Sequence, residues 1–218
     1  MKKGFTLVEM LVVIGILAIL VGIGIGAFSS ATRSAQRARG QELVSNTATA
    51  LAAIYQREGA WPRRILAKGA TDGLLDEDVA YELAKRKALT LTYDSNKKKT
   101  TGLDRCGVVT PWAQDAIKSV GLGASTATKV RTGGTVKDHI LHYAVDVDGD
   151  GKVEASVGGN HVTIRGVVAV WSCGMSGGEI SPYPSKGGAG SGKKGQSDKG
   201  GKDGRIKDIY SWVPSQVE

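Results

Sequence analysis

The first 58 residues are patterned as one long helix with two different surfaces. Residues 7–28 are apolar almost without interruption, and at 1.5 Å per residue they would form roughly 33 Å of helix, close to the thickness of a bilayer core. From Ser29 to Glu58 there is no proline, and apolar residues recur every three or four positions. This spacing predicts an amphipathic continuation of the same helix, which Gly59 and Pro62 are expected to end. The predicted apolar stripe comprises Leu43, Val44, Thr47, Ala48, Leu51, Ile54 and Tyr55.

Two further helices are expected after this stem. Leu75–Ala88 has acidic residues first and basic residues last, as the helix dipole favours. Thr110 and Pro111 look like an N-cap and a first-turn proline, which would begin a short helix ending near Val120.

The pattern then changes to that of strands. Asp-Gly and Gly-Gly-Asn turns divide the β-rich runs, which predicts an antiparallel meander. The predicted strands are His139–Val145, Val153–Val157, His161–Ser172 and, near the C-terminus, Ile206–Val213. Residues 186–205 are rich in glycine and lysine and read as a flexible insertion in the head.

Composition excludes wholesale disorder but says little about partners. The chain of 218 residues is 41% hydrophobic and 23% charged, which is normal for a protein that folds. Its net charge of +8 is spread along the sequence. The basic residues therefore form no single stripe of the kind that would indicate a nucleic-acid-binding surface.

The apolar run favours a membrane-spanning helix over a cleaved secretory signal. A secretory signal also begins with lysines, but this run is longer than a typical signal core and no Ala-x-Ala-like site follows it. Lys2 and Lys3 favour a cytoplasmic N-terminus, whereas Arg33, Arg37 and Arg39 oppose that orientation.

Glu9 interrupts the apolar run near its start. A carboxylate inside a spanning helix costs on the order of 2.5–3.5 kcal/mol on insertion scales, so it usually has a positive partner, and the run contains no basic residue. Two interpretations remain open. Either Glu9 reaches the interface from near the helix end, or a cation arrives from elsewhere, such as the amine that cleavage after Gly4 would create at Phe5.

Residues 2–13, Lys-Lys-Gly-Phe-Thr-Leu-Val-Glu-Met-Leu-Val-Val, resemble the class III signal of type IV pilins and type II secretion pseudopilins. In that family a prepilin peptidase cuts after the glycine and methylates the new N-terminal phenylalanine. The family's glutamate then pairs with the N-terminal amine of a neighbouring subunit. The resemblance implies that Gly4 and Phe5 flank the cleaved bond and that Glu9 acts in assembly.

Short segments of the head are most similar to the major pseudopilin of type II secretion. Gly59-Ala60-Trp61-Pro62 is similar to that family's Gly-x-Tyr-Pro, and Thr110-Pro111-Trp112 to its Asp-Pro-Trp-Gly, although Thr110 replaces the aspartate. Val170–Gly174 resembles the strand that enters the family's calcium loop. Asp208–Trp212 is similar to the Asp-Ile-x-Ser-Trp that closes it.

The resemblance implies an α+β, pilin-like fold in which a long N-terminal helix packs on a small antiparallel sheet. Its implied parts are a leader (1–4), a transmembrane assembly helix (5–28), the amphipathic stem (29–58) and a periplasmic head (59–218). The chain would be a single-pass protein of the bacterial inner membrane that polymerises into a helical homo-oligomer, the pseudopilus, and supports protein export across the outer membrane. Implied partners are prepilin peptidase, minor pseudopilins, the inner-membrane assembly platform and membrane lipid. The alternative is a minor type IV pilin that serves adhesion or DNA uptake.

Calcium is the one cofactor that the sequence suggests. Asp146, Asp148, Asp150 and Glu154 stand at positions 1, 3, 5 and 9 of a calcium-loop spacing, but Val157 replaces the bidentate glutamate expected at position 12. A polar turn in which these residues only shape the backbone is an equal alternative.

The resemblance adds a second calcium candidate, and the even cysteine count suggests a disulfide. Asp208 falls on an acidic position of the family's C-terminal calcium loop, and Asp203 would contribute. Cys106 and Cys173 are the only cysteines. In an oxidising compartment they are expected to form one disulfide, and two buried thiols are the alternative.

No enzymatic activity is expected. Gly-x-Ser-x-Gly occurs around Ser176, but a hydrolase of that type needs a later histidine, and His139, His142 and His161 all come earlier. His139 and His142, three apart on a predicted strand, would point to opposite faces and could not share a metal.

Nucleic acid is not an expected partner. The lysine runs 97–99 and 193–194 have no interleaved aromatic residue of the kind that stacking on bases requires. We interpret them as solvated loop charges.

Overall fold

The computed structural model of the chain describes residues 7–174, 209–212 and 216–217, without the side chains of residues 21–30. The predicted leader and the loop at 186–205 lie outside these ranges. The first helix, α1 (Leu7–Glu58), is 52 residues and therefore roughly 78 Å long. It ends where the sequence predicts, because Gly59 adopts φ +68° and donates its N–H to the Tyr55 carbonyl at 2.8 Å.

No helix among the described residues is both long and apolar enough to cross a membrane. The span predicted over residues 7–28 extends into residues 21–30, whose side chains lie outside the description.

The C-terminal half of α1 packs on the head through the predicted stripe. Val44, Thr47, Leu51 and Ile54 are at most 1% exposed. They face strands β7 (Val168–Ser172) and β8 (Ile209–Tyr210) and helix α4 (Pro111–Val120), so that this half of the stem forms one wall of the core.

Gly40 lies at the N-terminal end of this contact. A Cβ at Gly40 would lie 2.6 Å from Ile209 Cδ1 and 3.4 Å from the Trp112 ring, so the absence of a side chain at Gly40 lets the helix and the head pack closely here.

Of the remaining described α-helices, the first was not predicted, and the other two lie where the sequence predicts them. Helix α2 is Arg63–Lys68, and α3 is Glu77–Lys85, shorter than the predicted Leu75–Ala88, because the Asp76 carboxylate caps it by accepting from Val79 N at 3.2 Å. Helix α4 has the predicted bounds and the predicted Pro111, but the Thr110 side chain makes no capping hydrogen bond.

Among the described residues, four strands form the main antiparallel sheet in the order β1-β4-β7-β8. Here β1 is Gly73–Leu74 and β4 is His142–Val145. The prediction of a simple meander was wrong, because β4 pairs with β7 and not with the next strand along the chain. Between them, β5 (Lys152–Val157) and β6 (Asn160–Arg165) form a separate hairpin. A smaller hairpin joins β2 (Tyr93–Asp94) to β3 (Lys99–Thr100).

The sheet separates two apolar clusters. Tyr143, Val145 and Val170 pack with the stem and helices α3 and α4, whereas Ala144 and Trp171 pack against the β5–β6 hairpin. This alternation follows from the two-residue period of strands. The predicted α+β architecture, a long N-terminal helix followed by small antiparallel sheets, is confirmed.

Candidate functional site

The start of α1 is an exposed apolar rod, by which we mean residues 7–20. Its large hydrophobic side chains are between 47% exposed at Val13 and 81% exposed at Leu7. They occur on every side of the helix, whereas the stem beyond Gly40 buries only one stripe. An apolar surface of this extent is unfavourable in water and is typical of a segment covered by lipid or by other protein.

Glu9 is exposed and lies in the first turn of α1. It is the only acidic residue of the rod, and the next acidic residue along the chain is Glu42. The predicted processing residues, Gly4 and Phe5, lie outside the described part of the chain.

The acidic loop, residues 146–150, connects β4 to β5. Carboxylate oxygens of Asp146, Asp148 and Asp150 all lie within 4.8 Å of one another. Asp146 is 2% exposed, and its two carboxylate oxygens accept the N–H groups of Gly149 and Gly151 at 2.7 and 2.9 Å. The structure therefore brings together three of the four predicted calcium ligands. It also contains the polar turn that the sequence offered as the alternative to a calcium site.

The other predicted calcium ligands either lie away from the three clustered carboxylates or fall outside the described residues. Glu154 lies exposed on β5, opposite Thr163 of β6, and does not belong to the cluster of three carboxylates. Asp203 and Asp208 lie outside the described residues.

The acidic loop is attached to the end of the stem. Trp61 donates its Nε1–H to the Asp146 carbonyl oxygen at 2.6 Å, and its ring stacks on Tyr55 of α1 with centroids 4.8 Å apart. Sequence reasoning did not find this contact, although Trp61 belongs to the motif that ends the stem.

The structure contains no disulfide between Cys106 and Cys173, in contrast to the expectation, and both cysteines are buried. The Cys173 thiol is held instead in a polar network, since its sulfur lies 2.8 Å from the Asp138 carbonyl oxygen and 3.3 Å from His139 Nδ1. Burial raises the pKa of the Cys106 thiol, which keeps it neutral.

His139 is the centre of that network and is fully buried. Its Nδ1 accepts the indole N–H of Trp112 at 3.0 Å, and its Nε2 lies 2.9 Å from the Gly133 carbonyl oxygen, an arrangement that requires the proton on Nε2. Burial lowers the His139 pKa, against the raising effects of the Gly133 hydrogen bond and the Asp138 charge.

The prediction that His139 lies on a strand was wrong, because it ends a 3₁₀ turn, Val136–His139. His142 does lie on β4, where its Nδ1 is 2.7 Å from Asp72 Oδ1 and its ring stacks on Trp171. Within the described ranges, neither histidine belongs to a group that could hold a metal ion.

Comparison with known proteins places the strongest similarity at the N-terminus. The profile of the prokaryotic N-terminal methylation motif matches residues 1–25. The chain is 33% identical over 63 residues to the type IV major pilin protein PilE of Neisseria gonorrhoeae, covering 29% of this chain and 38% of the pilin. It is 32% identical over 69 residues to a PilE1 of the same organism, covering 32% and 42%.

The chain thus spans less than half the length of the curated relatives it matches. No solved structure matches it significantly. The motif at residues 1–25, the pilin similarity and the long helix that carries a small antiparallel head together identify the chain as a type IV pilin-like protein with a prepilin-type methylation signal.

Proposed function

We propose that this chain is a structural subunit of a type II secretion pseudopilus. It would be cleaved between Gly4 and Phe5 by prepilin peptidase, stored in the inner membrane with its head in the periplasm, and then polymerised into a filament. On this proposal it works with minor pseudopilins and an assembly platform, and it is not an enzyme.

The observation that carries this proposal is the apolar rod. Each of its large hydrophobic side chains is at least 47% exposed in the single chain, so the described part of the head leaves them uncovered. Burying such side chains is worth roughly 1.5–3 kcal/mol each, so the rod has a strong drive to enter a bilayer or to pack against the rods of other copies. A filament subunit that is stored in a membrane uses both environments.

Glu9 gives the rod its direction of assembly on this proposal. Cleavage would place a free amine at Phe5, one helical turn before Glu9. In a bundle of rods the amine of one copy would neutralise the carboxylate of another, which offsets the cost of placing either charge in an apolar environment. The pairing would also set the axial register between subunits.

Replacing Glu9 by alanine tests the proposal. We expect normal cleavage and membrane insertion but a loss of filaments, measured by mass spectrometry of the mature N-terminus and by electron microscopy of sheared filaments. Glu77→Ala is the matched control, because it removes a partly exposed carboxylate of the head, far from the rod in sequence. Filaments of Glu9→Ala at the unmodified level would contradict the pairing.

A minor type IV pilin for adhesion or DNA uptake is the second candidate. Lys97 and Lys98 are exposed on the β2–β3 turn, where they would meet an anionic partner. The next lysine, Lys99, already forms an ion pair within the head, because its Nζ lies 3.3 Å from Glu77 Oε2. Deleting the gene in its host separates the candidates. A secretion defect with normal DNA uptake supports the pseudopilus, and the opposite result supports the pilin.

We also propose that the acidic loop binds calcium. Three carboxylates within 4.8 Å supply the hard oxygen ligands that calcium prefers, and the Asp146 oxygens retain further lone pairs besides those used by the turn. Calcium at ten times its dissociation constant should stabilise the fold by about 1.4 kcal/mol. The test compares melting of the full chain in calcium and in chelator. Asp148→Asn should abolish the difference, and a shift that survives this change would place the ion elsewhere.

A further inference from the structure

A basic turn of the stem separates the apolar run from the head. Arg33 and Arg37 lie one helical turn apart on α1, and both are exposed. Residues 10–41 contain no acidic residue. Two like charges at this spacing slightly destabilise a helix unless an anion neutralises them.

Neither guanidinium has a hydrogen bond or an ion pair with any residue that the structure describes. Arg39 differs, because it lines a groove between α1 and α4 of about 310 Å³ together with Lys118 and the acidic residues Glu42 and Asp115. Arg39 therefore shares a groove with two carboxylates, whereas Arg33 and Arg37 have no described ion-pair partner and are available to an external anion.

The position of the two arginines matches the polar layer of a membrane. If the apolar run up to Phe28 fills the hydrocarbon core, Arg33 Cα lies roughly 7.5 Å and Arg37 Cα roughly 13.5 Å beyond its edge. The headgroup layer is about 5–7 Å thick on each side. Because side chains of a helix tilt toward its N-terminus, both arginines would reach back toward this layer.

We propose that Arg33 and Arg37 bind the phosphate groups of anionic phospholipids on the membrane face next to the head. This inference rests on the proposed membrane storage of the subunit, but not on filament assembly. Phosphate suits a guanidinium because two parallel N–H groups can bind two of its oxygens. The contact would hold the stored subunit at a fixed depth, with the head clear of the bilayer.

The expected preference follows from the attraction of basic residues to an anionic membrane surface. Each basic residue raises the association constant for anionic lipid about fivefold. Two arginines should therefore give a preference for anionic over zwitterionic lipid of at least fivefold. The preference should decline at high salt, because exposed charges are screened.

The experiment uses the full chain reconstituted in phosphatidylcholine bilayers with spin-labelled phosphatidylglycerol or spin-labelled phosphatidylcholine as probes. Electron paramagnetic resonance gives the relative association of each lipid with the protein. We expect at least fivefold selectivity for phosphatidylglycerol in the unmodified chain, and a loss of most of this selectivity in the double variant R33Q/R37Q, which retains Lys2, Lys3 and Arg39. The control K97Q/K98Q removes the same charge from the β2–β3 turn and should keep the selectivity.

Three results would overturn the inference. Equal association of both lipids with the unmodified chain, or full selectivity in R33Q/R37Q, would exclude phosphate binding by these arginines. Extraction of the chain by alkaline carbonate would show that it is not inserted, and both the inference and the proposed membrane storage would fail. A chain that inserts and selects anionic lipid but forms no filaments would contradict only the proposed assembly.

Discussion

Mild acid is expected to destabilise the head through His139. The ring is fully buried, and both of its nitrogens are used: Nδ1 accepts from Trp112 and Nε2–H donates to the Gly133 carbonyl. A second proton on Nδ1 would displace the indole N–H and bury a positive charge. The charged or titratable neighbours are the Asp138 carboxylate and the Cys173 thiol, and burial still lowers the His139 pKa.

The sign of the effect follows from the lowered pKa. In the unfolded chain the histidine titrates near 6.5. As the pH falls below this value, the unfolded chain gains a proton that the folded chain does not accept, so the free energy of unfolding decreases by up to about 1.4 kcal/mol per pH unit until the folded pKa is reached. For a protein of this size the melting temperature should fall by about 3–5 °C per unit.

Asp138 acts in a separate pH window. Hydrogen bonds from the Thr135 backbone and hydroxyl lower its pKa below the ordinary value of 3.8, so its contribution to stability is present above that value and is lost as the pH falls further. A loss of stability that begins near pH 6.5 therefore reports on histidine and not on this carboxylate.

Urea unfolding of the full chain at pH 7.5, 6.5 and 5.5, followed by tryptophan fluorescence, measures the effect. His139→Asn keeps an acceptor for Trp112 and should remove the pH dependence, whereas the control His161→Asn changes an exposed histidine and should retain it. Equal pH dependence in His139→Asn and the unmodified chain would refute the reasoning. If His139→Asn does not fold, Trp112→Phe provides the test, because an open Nδ1 should accept a proton more readily and flatten the pH dependence.

Two further predictions concern the packing of the head. Gly107→Ala should destabilise it by about 2–4 kcal/mol in urea unfolding, because Gly107 has φ +91° and a Cβ there would overlap the Leu75 carbonyl oxygen. Gly123→Ala should change the stability little, because the added Cβ would make only an ordinary contact with Val120 at 3.8 Å. Tyr143→Phe should cost only about 1 kcal/mol, because the Ile65 carbonyl that accepts its hydroxyl at 2.8 Å also accepts the N–H of Gly69. These two predictions would be contradicted if the free energy of unfolding fell by more than 3 kcal/mol in Tyr143→Phe, or did not fall in Gly107→Ala.

The stem could be predicted from sequence because its signals are local. The stripe that includes Val44, Leu51 and Ile54 has helical spacing, and Gly59 followed by Pro62 ends the helix for reasons contained in those residues alone. The turn at 146–151 was predictable for the same reason. Asp and Gly shape that backbone whether or not an ion binds.

The strand order could not be predicted, because turn signals identify neighbouring strands but not the edge at which a hairpin docks. The β5–β6 hairpin leaves the sheet, and Val145 of β4 instead pairs with Val168 of β7. Gly166, at φ +147°, divides the predicted run His161–Ser172 into two strands that belong to different sheets.

The buried polar network was missed because its members are far apart in sequence. Trp112 and His139 are 27 residues apart, and His139 and Cys173 are 34 apart. Pattern reasoning treated Cys173 as half of a disulfide because the cysteine count is even. The count says nothing of the carbonyl and the imidazole that surround this sulfur in the fold.

The contact between the stem and the head is reinforced at both of its ends, which bears on how force would pass through the subunit. At one end Gly40 admits Trp112 and Ile209 against the helix. At the other end Arg86 Nε binds Glu58 Oε1 at 2.8 Å, and these contacts are 18 helical residues, or roughly 27 Å, apart along α1.

The buried stripe lies between these two ends. Tilting the stem away from the head would therefore expose the apolar residues of the whole stripe to water, which is unfavourable. The two ends of this contact are reinforced differently. Gly40 permits close packing at one end, and the ion pair between Glu58 and Arg86 restrains the other end. A rod drawn out of a bilayer would therefore carry the head with it as one body. Elongation of a filament needs this property, because each subunit must deliver its head at the position that its rod has taken.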